Sequence, residues 1–101
     1  MKLFIDTSDR ERIVIGFDNE RFEEDARKEK SQALLPLIHE KLEKTGKSIH
    51  DVTEIEVAVG PGSFTGLRVG IAIANAIGWA LEIPVNGKNI KNDGPIEPVY
   101  S

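Results

Sequence analysis

The chain contains no cysteine, so neither a disulfide framework nor a thiolate metal site is open to it. Its two histidines, His39 and His50, are too few for an all-histidine zinc site, and each reads as a solvated surface residue; no metal and no cofactor are expected. Positive charge is scarce: 13 Lys and Arg stand against 17 Asp and Glu, for a formal charge of −4. Proteins that bind nucleic acid on their own usually carry a basic face, so any RNA contact is expected to be indirect, through a partner. Long hydrophobic runs are missing as well. The longest uncharged stretch, Val69 to Leu81, falls short of the ~20 residues that cross a bilayer. Met1-Lys2-Leu3-Phe4-Ile5 meets Asp6 before a secretory apolar core could form. The expectation is a cytoplasmic protein with no membrane contact.

What is present is ordinary globular composition, 40% hydrophobic and 30% charged over 101 residues. That length allows one domain with a single core and little margin. Lys2 to Thr7 reads as a strand, followed by a β-branched strand over Arg12 to Phe17 and, after an Asp18-Asn19 turn, a more polar strand over Glu20 to Ala26. The charge-rich run through Arg27, Lys28, Glu29 and Lys30 reads as a solvated edge and loop. Ser31 is placed to cap a helix over Gln32 to Thr45, in which Leu34, Leu35, Ile38 and Leu42 recur at helical spacing while Glu40, Lys41, Glu43 and Lys44 face water. Pro36 lies in its opening turns, and Gly46 suits its end. Ser48 to Asp51 has the spacing of a small capped turn. Glu54 to Val59 is the next strand, a long helix runs from Ser63 or Phe64 to Leu81, and Ile83-Pro84-Val85 starts a last strand. After Asn86 there is no period, and residues 86–101 read as an irregular, loosely ordered tail. The order β-β-β-α-β-α-β is that of an α/β layer fold.

The most informative segment is Gly60-Pro-Gly-Ser-Phe-Thr-Gly-Leu-Arg-Val-Gly70. Strand, glycine turn and helix can bring backbone N–H groups to an anion, with Gly60 and Gly62 turning the chain and Ser63 to Thr65 supplying donors. The same residues can equally make a plain turn, with Ser63 or Thr65 capping the helix. The segment lacks the Lys-Ser or Lys-Thr of a Walker loop and the pattern of a dinucleotide fingerprint. Asp6-Thr7-Ser8 at the end of the first strand is similarly two-sided: an Asp there can hold a metal-bound water beside phosphate-binding hydroxyls, or it can close a turn. Ser63 has no base tied to it by any motif, so no catalytic residue is assigned.

The helix that follows carries a sharper pattern. Gly62, Gly66, Gly70, Ala74 and Gly78 fall at four-residue spacing, and Ala72, Ala76 and Ala80 form a second stripe of small residues. Glycine in a helix costs roughly 1 kcal/mol against alanine, so the first stripe calls for close backbone approach. The large residues, Ile73, Ile77 and Trp79 among them, are spread around the axis, as in a helix covered on more than one side. The chain offers little to cover a second side, so a partner subunit is expected there. On that expectation Gly70→Leu or Ala74→Leu blocks association and spares the fold.

Leu3-Phe-Ile-Asp-Thr-Ser8, Ser31-Gln-Ala-Leu-Leu-Pro-Leu-Ile38 and Gly60 to Gly70 together resemble, in order, the amino-terminal half of TsaB, the YeaZ-type family of tRNA threonylcarbamoyladenosine synthesis. The resemblance spans residues 1–85 and implies a ribonuclease-H-like half domain of the actin/Hsp70 type. It implies a non-catalytic subunit that pairs with a TsaD-like catalytic subunit, works with a TsaE-like ATPase, forms homodimers when alone and meets tRNA only indirectly. Carried over by position, the interface comprises Leu34, Leu35, Ile38 and Leu42 of the first helix and Gly66, Gly70, Ile73, Ala74, Ile77 and Gly78 of the second. Asp6, Thr7, Gly60, Gly62, Ser63 and Thr65 are the candidates for the alternative, a small phosphate- or nucleotide-binding protein. A homodimer detached from the pathway is a third reading.

The chain departs from the family's pattern after Val85, where members usually continue into a second domain. Pro95-Ile-Glu-Pro-Val-Tyr100 resembles the family's carboxyl-terminal tail, which suits a natural deletion of that domain. The two-domain nucleotide cleft of the superfamily is then not expected. Lys30 stands where a histidine is common in the family, and the histidine-based metal site of the catalytic paralogue is not expected either.

Overall fold

Alternation along the first strands decides the architecture. In the computed structural model, which describes residues 1–25 and 30–99 (Lys30 and Ser31 in backbone only), β1 (Lys2–Asp6), β2 (Arg12–Phe17) and β3 (Glu20–Asp25) form an antiparallel meander. β4 (Glu54–Val57) adds parallel to β1, giving a mixed sheet of order β3-β2-β1-β4. The register aligns Leu3 with Phe17 and Ile55, and Ile5 with Ile15 and Val57, so these side chains share one face. All are buried. The opposite face is polar: Lys2 pairs with Glu56 at 2.6 Å, Arg12 with Glu23 at 3.7 Å, and the Arg21 guanidinium lies 4.0 Å from the centre of the Phe4 ring. The expected end of the third strand at Ala26 and the charges from Arg27 to Glu29 lie outside the described residues, and the Ser31 cap is corrected: the helix already begins at Lys30, so Ser31 lies inside it.

The buried face is covered by α1 (Lys30–Lys44) and α2 (Phe64–Leu81). In α1, Leu34, Ile38 and Leu42 point into the core, and Pro36 is accommodated inside the helix. Gly46 at φ +71° ends it, with Lys47 N–H donating to the Leu42 carbonyl and Gly46 N–H to that of Glu43, a Schellman pair. Lys41 corrects the expectation of a solvated face: it is only 6% exposed, and its ammonium meets Glu24 of β3 at 2.9 Å. The hydrogen bond to Glu24 raises its pKa. The capped turn appears as expected, with Ser48 N–H donating to Asp51 Oδ2 at 2.8 Å and the Ser48 hydroxyl accepting from His50 N–H.

Thr7, one residue past β1, fastens α2 to the sheet. Its side chain is fully buried; the hydroxyl donates to the Gly66 carbonyl at 2.5 Å and accepts from the Gly70 N–H at 3.2 Å. It therefore sits within the Gly66–Gly70 rung of the helix's own hydrogen-bond ladder. A Cβ at Gly70 would collide with this hydroxyl and press on Ile5. By length and composition the 18-residue α2 is apolar enough to cross a bilayer, which counting only its uncharged run did not show; here one side of it is packed on the chain's own sheet.

Two expectations about the end of the chain are corrected. The last strand is reduced to a bridge, Val85 with Ile55, because Asn86 at φ +50° turns the chain and its side-chain amide, not a continuing strand, meets both polar groups of Val57. Residues 86–99 are not loose. Asn89 caps a short helix, α3 (Ile90–Asp93), Ile90 and Ile96 are buried, and Val99 N–H donates to the Val59 carbonyl at 2.8 Å. These anchors are single long-range contacts with no period, which is why pattern reading passes over them.

Alanine gains about 1 kcal/mol over glycine in a helix, whereas overpacking a core typically costs about 1–3 kcal/mol. Gly70→Ala is expected to be net destabilising, by up to about 2 kcal/mol in a urea titration, on those same figures. The near-isosteric Thr7→Val is expected to cost about 1–3 kcal/mol by stripping the hydroxyl from two buried backbone groups; wild-type stability in that variant would show that the hydroxyl is no fastening.

Candidate functional site

The glycine turn lies against the end of β1, and its polar groups are spent within the fold. Asp6 Oδ1 accepts from Ser8 N–H at 2.9 Å and from the Ser8 hydroxyl at 2.6 Å, closing an Asx turn. The Ser8 carbonyl in turn accepts from Ser63 N–H at 2.8 Å. Gly62, at φ +157°, passes so close that a Cβ there would lie 2.5 Å from that of Ser8. Ser63 is the N-cap, its hydroxyl accepting from Gly66 N–H at 3.3 Å, and Thr65 is an exposed residue in the first turn of α2. Gly60 abuts the backbone of Val99. So the structure gathers Asp6, Thr7, Gly60, Gly62 and Ser63 at one corner, but the Asp6 carboxylate, the Thr7 hydroxyl and the Ser63 N–H each already have an internal partner. Among the described residues no three His, Cys, Asp or Glu come together as metal ligands.

The docking residues divide differently from the sequence expectation. Gly66, Gly70, Ala74 and Gly78 are buried on the chain's own sheet: a Cβ at Gly70 would meet Thr7, and one at Gly78 would meet Val85 and the Ile83 carbonyl. Leu34, Ile38 and Leu42 are core residues as well. The glycine stripe is thus internal packing, and Gly70→Leu or Ala74→Leu would disrupt the fold before any association. Of the expected interface residues, Leu35 is exposed, and Ile73 and Ile77 are half-buried.

The outward side of α2 is formed by the other stripe. Ala72, Ala76 and Ala80 run down its centre. Phe64 and Trp79, exposed by 52% and 56%, flank it with Arg68 on one side, and Val69 and Ile73 on the other. Phe64, Arg68, Val69, Ala72 and Ile73 line a shallow apolar groove. Arg68 stacks over Phe64 at 5.6 Å and Lys91 over Trp79 at 4.8 Å. The Lys91 ammonium also meets Glu82 at 2.6 Å, which holds that carboxyl below its ordinary range. A second apolar hollow lies on α1 between Leu35, His39 and Ile49. Phe64, Arg68, Ala72 and Trp79 lie on this outward face and were not among the interface residues expected from sequence. The alanine stripe was the available signal, but spacing alone does not say which of two stripes faces the sheet.

Comparison with known proteins agrees with this fold. Residues 23–89 match the family described as TsaD: tRNA N6-adenosine threonylcarbamoyltransferase. The tRNA threonylcarbamoyladenosine biosynthesis protein TsaB of Bacillus subtilis (strain 168) is 33% identical, over 73% of this chain and 36% of its own length. The protein of the same name from Escherichia coli (strain K12) is 39% identical over 59% of this chain and 26% of its own length. YeaZ from Pseudomonas aeruginosa superposes with a TM-score of 0.72 at 29% identity, covering 83% of this chain and 41% of that one. This likeness carries the ribonuclease-H-like α/β fold. The chain matches only about a quarter to a third of the length of these curated relatives, 36% of the one and 26% of the other. With a family match over most of its residues and relatives alike in sequence and fold, the chain belongs to the TsaB/YeaZ-type family of tRNA threonylcarbamoyladenosine biosynthesis proteins, as a partial, amino-terminal segment of them.

Proposed function

We propose that the chain is a non-catalytic, cytoplasmic subunit of tRNA threonylcarbamoyladenosine synthesis, docking a TsaD-like catalytic subunit on the outward face of α2. The observation that carries this is the alanine column Ala72, Ala76 and Ala80 lying exposed between Phe64 and Trp79 on one side and Val69 and Ile73 on the other. Helices pack at about 8–10 Å, and small residues at the contact set the near end of that range. An exposed seam of alanines walled by large apolar residues fits an incoming helix ridge. A second copy of the chain can use the same patch isologously, so a homodimer is the state proposed for the chain alone, with a TsaE-like ATPase and tRNA reached only through the catalytic partner. The non-catalytic assignment is supported by the corner at Asp6 and Ser63, where both candidate groups are already bonded to Ser8. The unit spanning residues 1–85 is read as the domain that docks, and no metal or cofactor is assigned to it.

Light scattering is expected to give a homodimer for the chain alone and a heterodimer with the cognate TsaD-like subunit; a monomer under both conditions would overturn the reading. Ala76→Trp, which fills the seam from the solvent side, is expected to abolish both associations and to change stability by less than about 0.5 kcal/mol, as exposed substitutions usually do. For the nucleotide alternative, a ligand at one hundred times its Kd adds about 2.7 kcal/mol, and each kcal/mol moves Tm by roughly 4–8 °C in a domain this small. ATP with magnesium is expected to leave Tm unmoved; a shift of that size would favour the glycine turn as a ligand site.

A further inference from the structure

Asn86 is followed by glycine, whereas Asn19, Asn75, Asn89 and Asn92 precede Glu, Ala, Ile and Asp. The Asn-Gly pair fills the two central positions of a tight hairpin. Val85 N–H donates to the Lys88 carbonyl and Lys88 N–H to that of Val85, both at 2.9 Å, with φ +50° at Asn86 and +78° at Gly87. That is a type I′ turn, for which Asn-Gly is a preferred sequence. The turn is exposed, and a Cβ at Gly87 would meet nothing, so the space beside its backbone is open.

An asparagine amide next to an unhindered glycine nitrogen is prone to lose ammonia. The Gly87 nitrogen bonds to Asn86 Cγ, the Cγ–Nδ2 bond breaks, and Nδ2 leaves as ammonia with the Gly87 amide proton. Water then opens the five-membered imide at one of its two carbonyls. Opening at Cγ leaves aspartate; opening at the main-chain carbonyl leaves isoaspartate, with one more methylene in the backbone. Nothing is oxidised or reduced, and water is the co-reactant.

The folded turn opposes the first step in two ways. The first central residue of a type I′ turn has ψ near about +30°, which sets the next nitrogen away from Cβ, whereas ring closure needs the two on one side. The amide is also held at both ends: Oδ1 accepts from Val57 N–H at 2.8 Å and Nδ2 donates to the Val57 carbonyl at 3.0 Å. Turning Asn86 into the reacting geometry breaks both bonds.

We propose that Asn86 is a deamidation site held closed by the β4 edge, which reacts with water through local opening of the turn at residues 85–88. The product cannot restore the clamp. A carboxylate oxygen in the place of Nδ2 faces the Val57 carbonyl, acceptor against acceptor, and that carbonyl loses its donor. Isoaspartate also lengthens the loop, and loop length sets hairpin register. The Ile55 N–H bond to the Pro84 carbonyl and the Asn86 N–H bond to the Ile55 carbonyl adjoin the turn and loosen with it.

The full chain is incubated at mildly alkaline pH in buffer and in urea, and each asparagine is followed by peptide mass spectrometry. In urea Asn86 is expected to convert ahead of the other asparagines. In buffer its conversion is expected to be more than about tenfold slower, the protection given by a local opening that costs about 1.4 kcal/mol. Equal rates in the two conditions would overturn the closed site, and a rate in urea no faster than that of Asn19 or Asn75 would overturn the site itself. Asn86→Asp stands in for the product and is expected to lower Tm and the hydrogen-exchange protection of the Ile55 amide. Wild-type values of both would overturn the broken clamp. Should Asn86→Asp not fold, deamidated chain separated by ion exchange from the incubated wild type decides the same point.

Discussion

The hydroxyl of Thr7, lying between the Gly66 carbonyl and the Gly70 amide, holds α2 closer to β1 than any residue with a Cβ at position 70 would permit. Much follows from that contact. It fixes the rotation of α2 about its axis, and so decides which side chains enter the core and which face outward. It brings Leu67 and Ile71 into the buried cluster that holds Ile5, Val57 and the core residues of α1. It also brings the N-terminus of α2 to Ser8, where Ser63 and Asp6 complete the corner. With the hydroxyl in the helix ladder, the glycine at 70 is a geometric requirement of this contact, and its helix-propensity cost of roughly 1 kcal/mol is offset by the burial it permits.

The two small-residue stripes therefore carry different weight. Alanine is the best helix former, so an alanine column on a solvent side has an explanation in propensity alone. Propensity does not explain the large apolar residues beside it. Phe64 and Trp79 remain more than half exposed, and the cations stacked on them, Arg68 and Lys91, are themselves at the surface. Solvent-facing apolar side chains scattered singly need no explanation, whereas a contiguous set marks an interaction surface. It is this contiguity, with the alanines between, that favours a docked helix over a helix merely tolerated in water.

The local features were legible in the sequence. The capped turn at Ser48, the helix stop at Gly46, the strands around Ile13–Ile15 and the cap at Ser63 each depend on residues within a few positions of one another. The direction of α2 was not legible. Stripes of equal spacing set two residues apart differ by about 200° around a helix, so one faces in when the other faces out, and the choice is made by Thr7 from 59 residues away. The candidate phosphate residues were chosen from local motifs, whereas the partners that occupy Asp6 and Ser63 are groups of Ser8 that no motif records. Lys41 was misjudged for a similar reason: its partner, Glu24, lies on another element.

The end of the chain shows what replaces a fifth strand. Beyond Ile55 the outer edge of β4 would present unpaired groups, a liability in any sheet. The Asn86 side chain meets the N–H and carbonyl of Val57, and Val99 reaches the carbonyl of Val59, so the edge is closed in pieces by side chain and tail. Asn75 treats Ile96 in the same way. Two amides thus do work that elsewhere falls to strand pairing, and they do it through single side chains. Such closure is satisfied in its hydrogen bonds and yet rests on few contacts, so residues 96–99 form the segment whose position a single substitution can release with the sheet left intact.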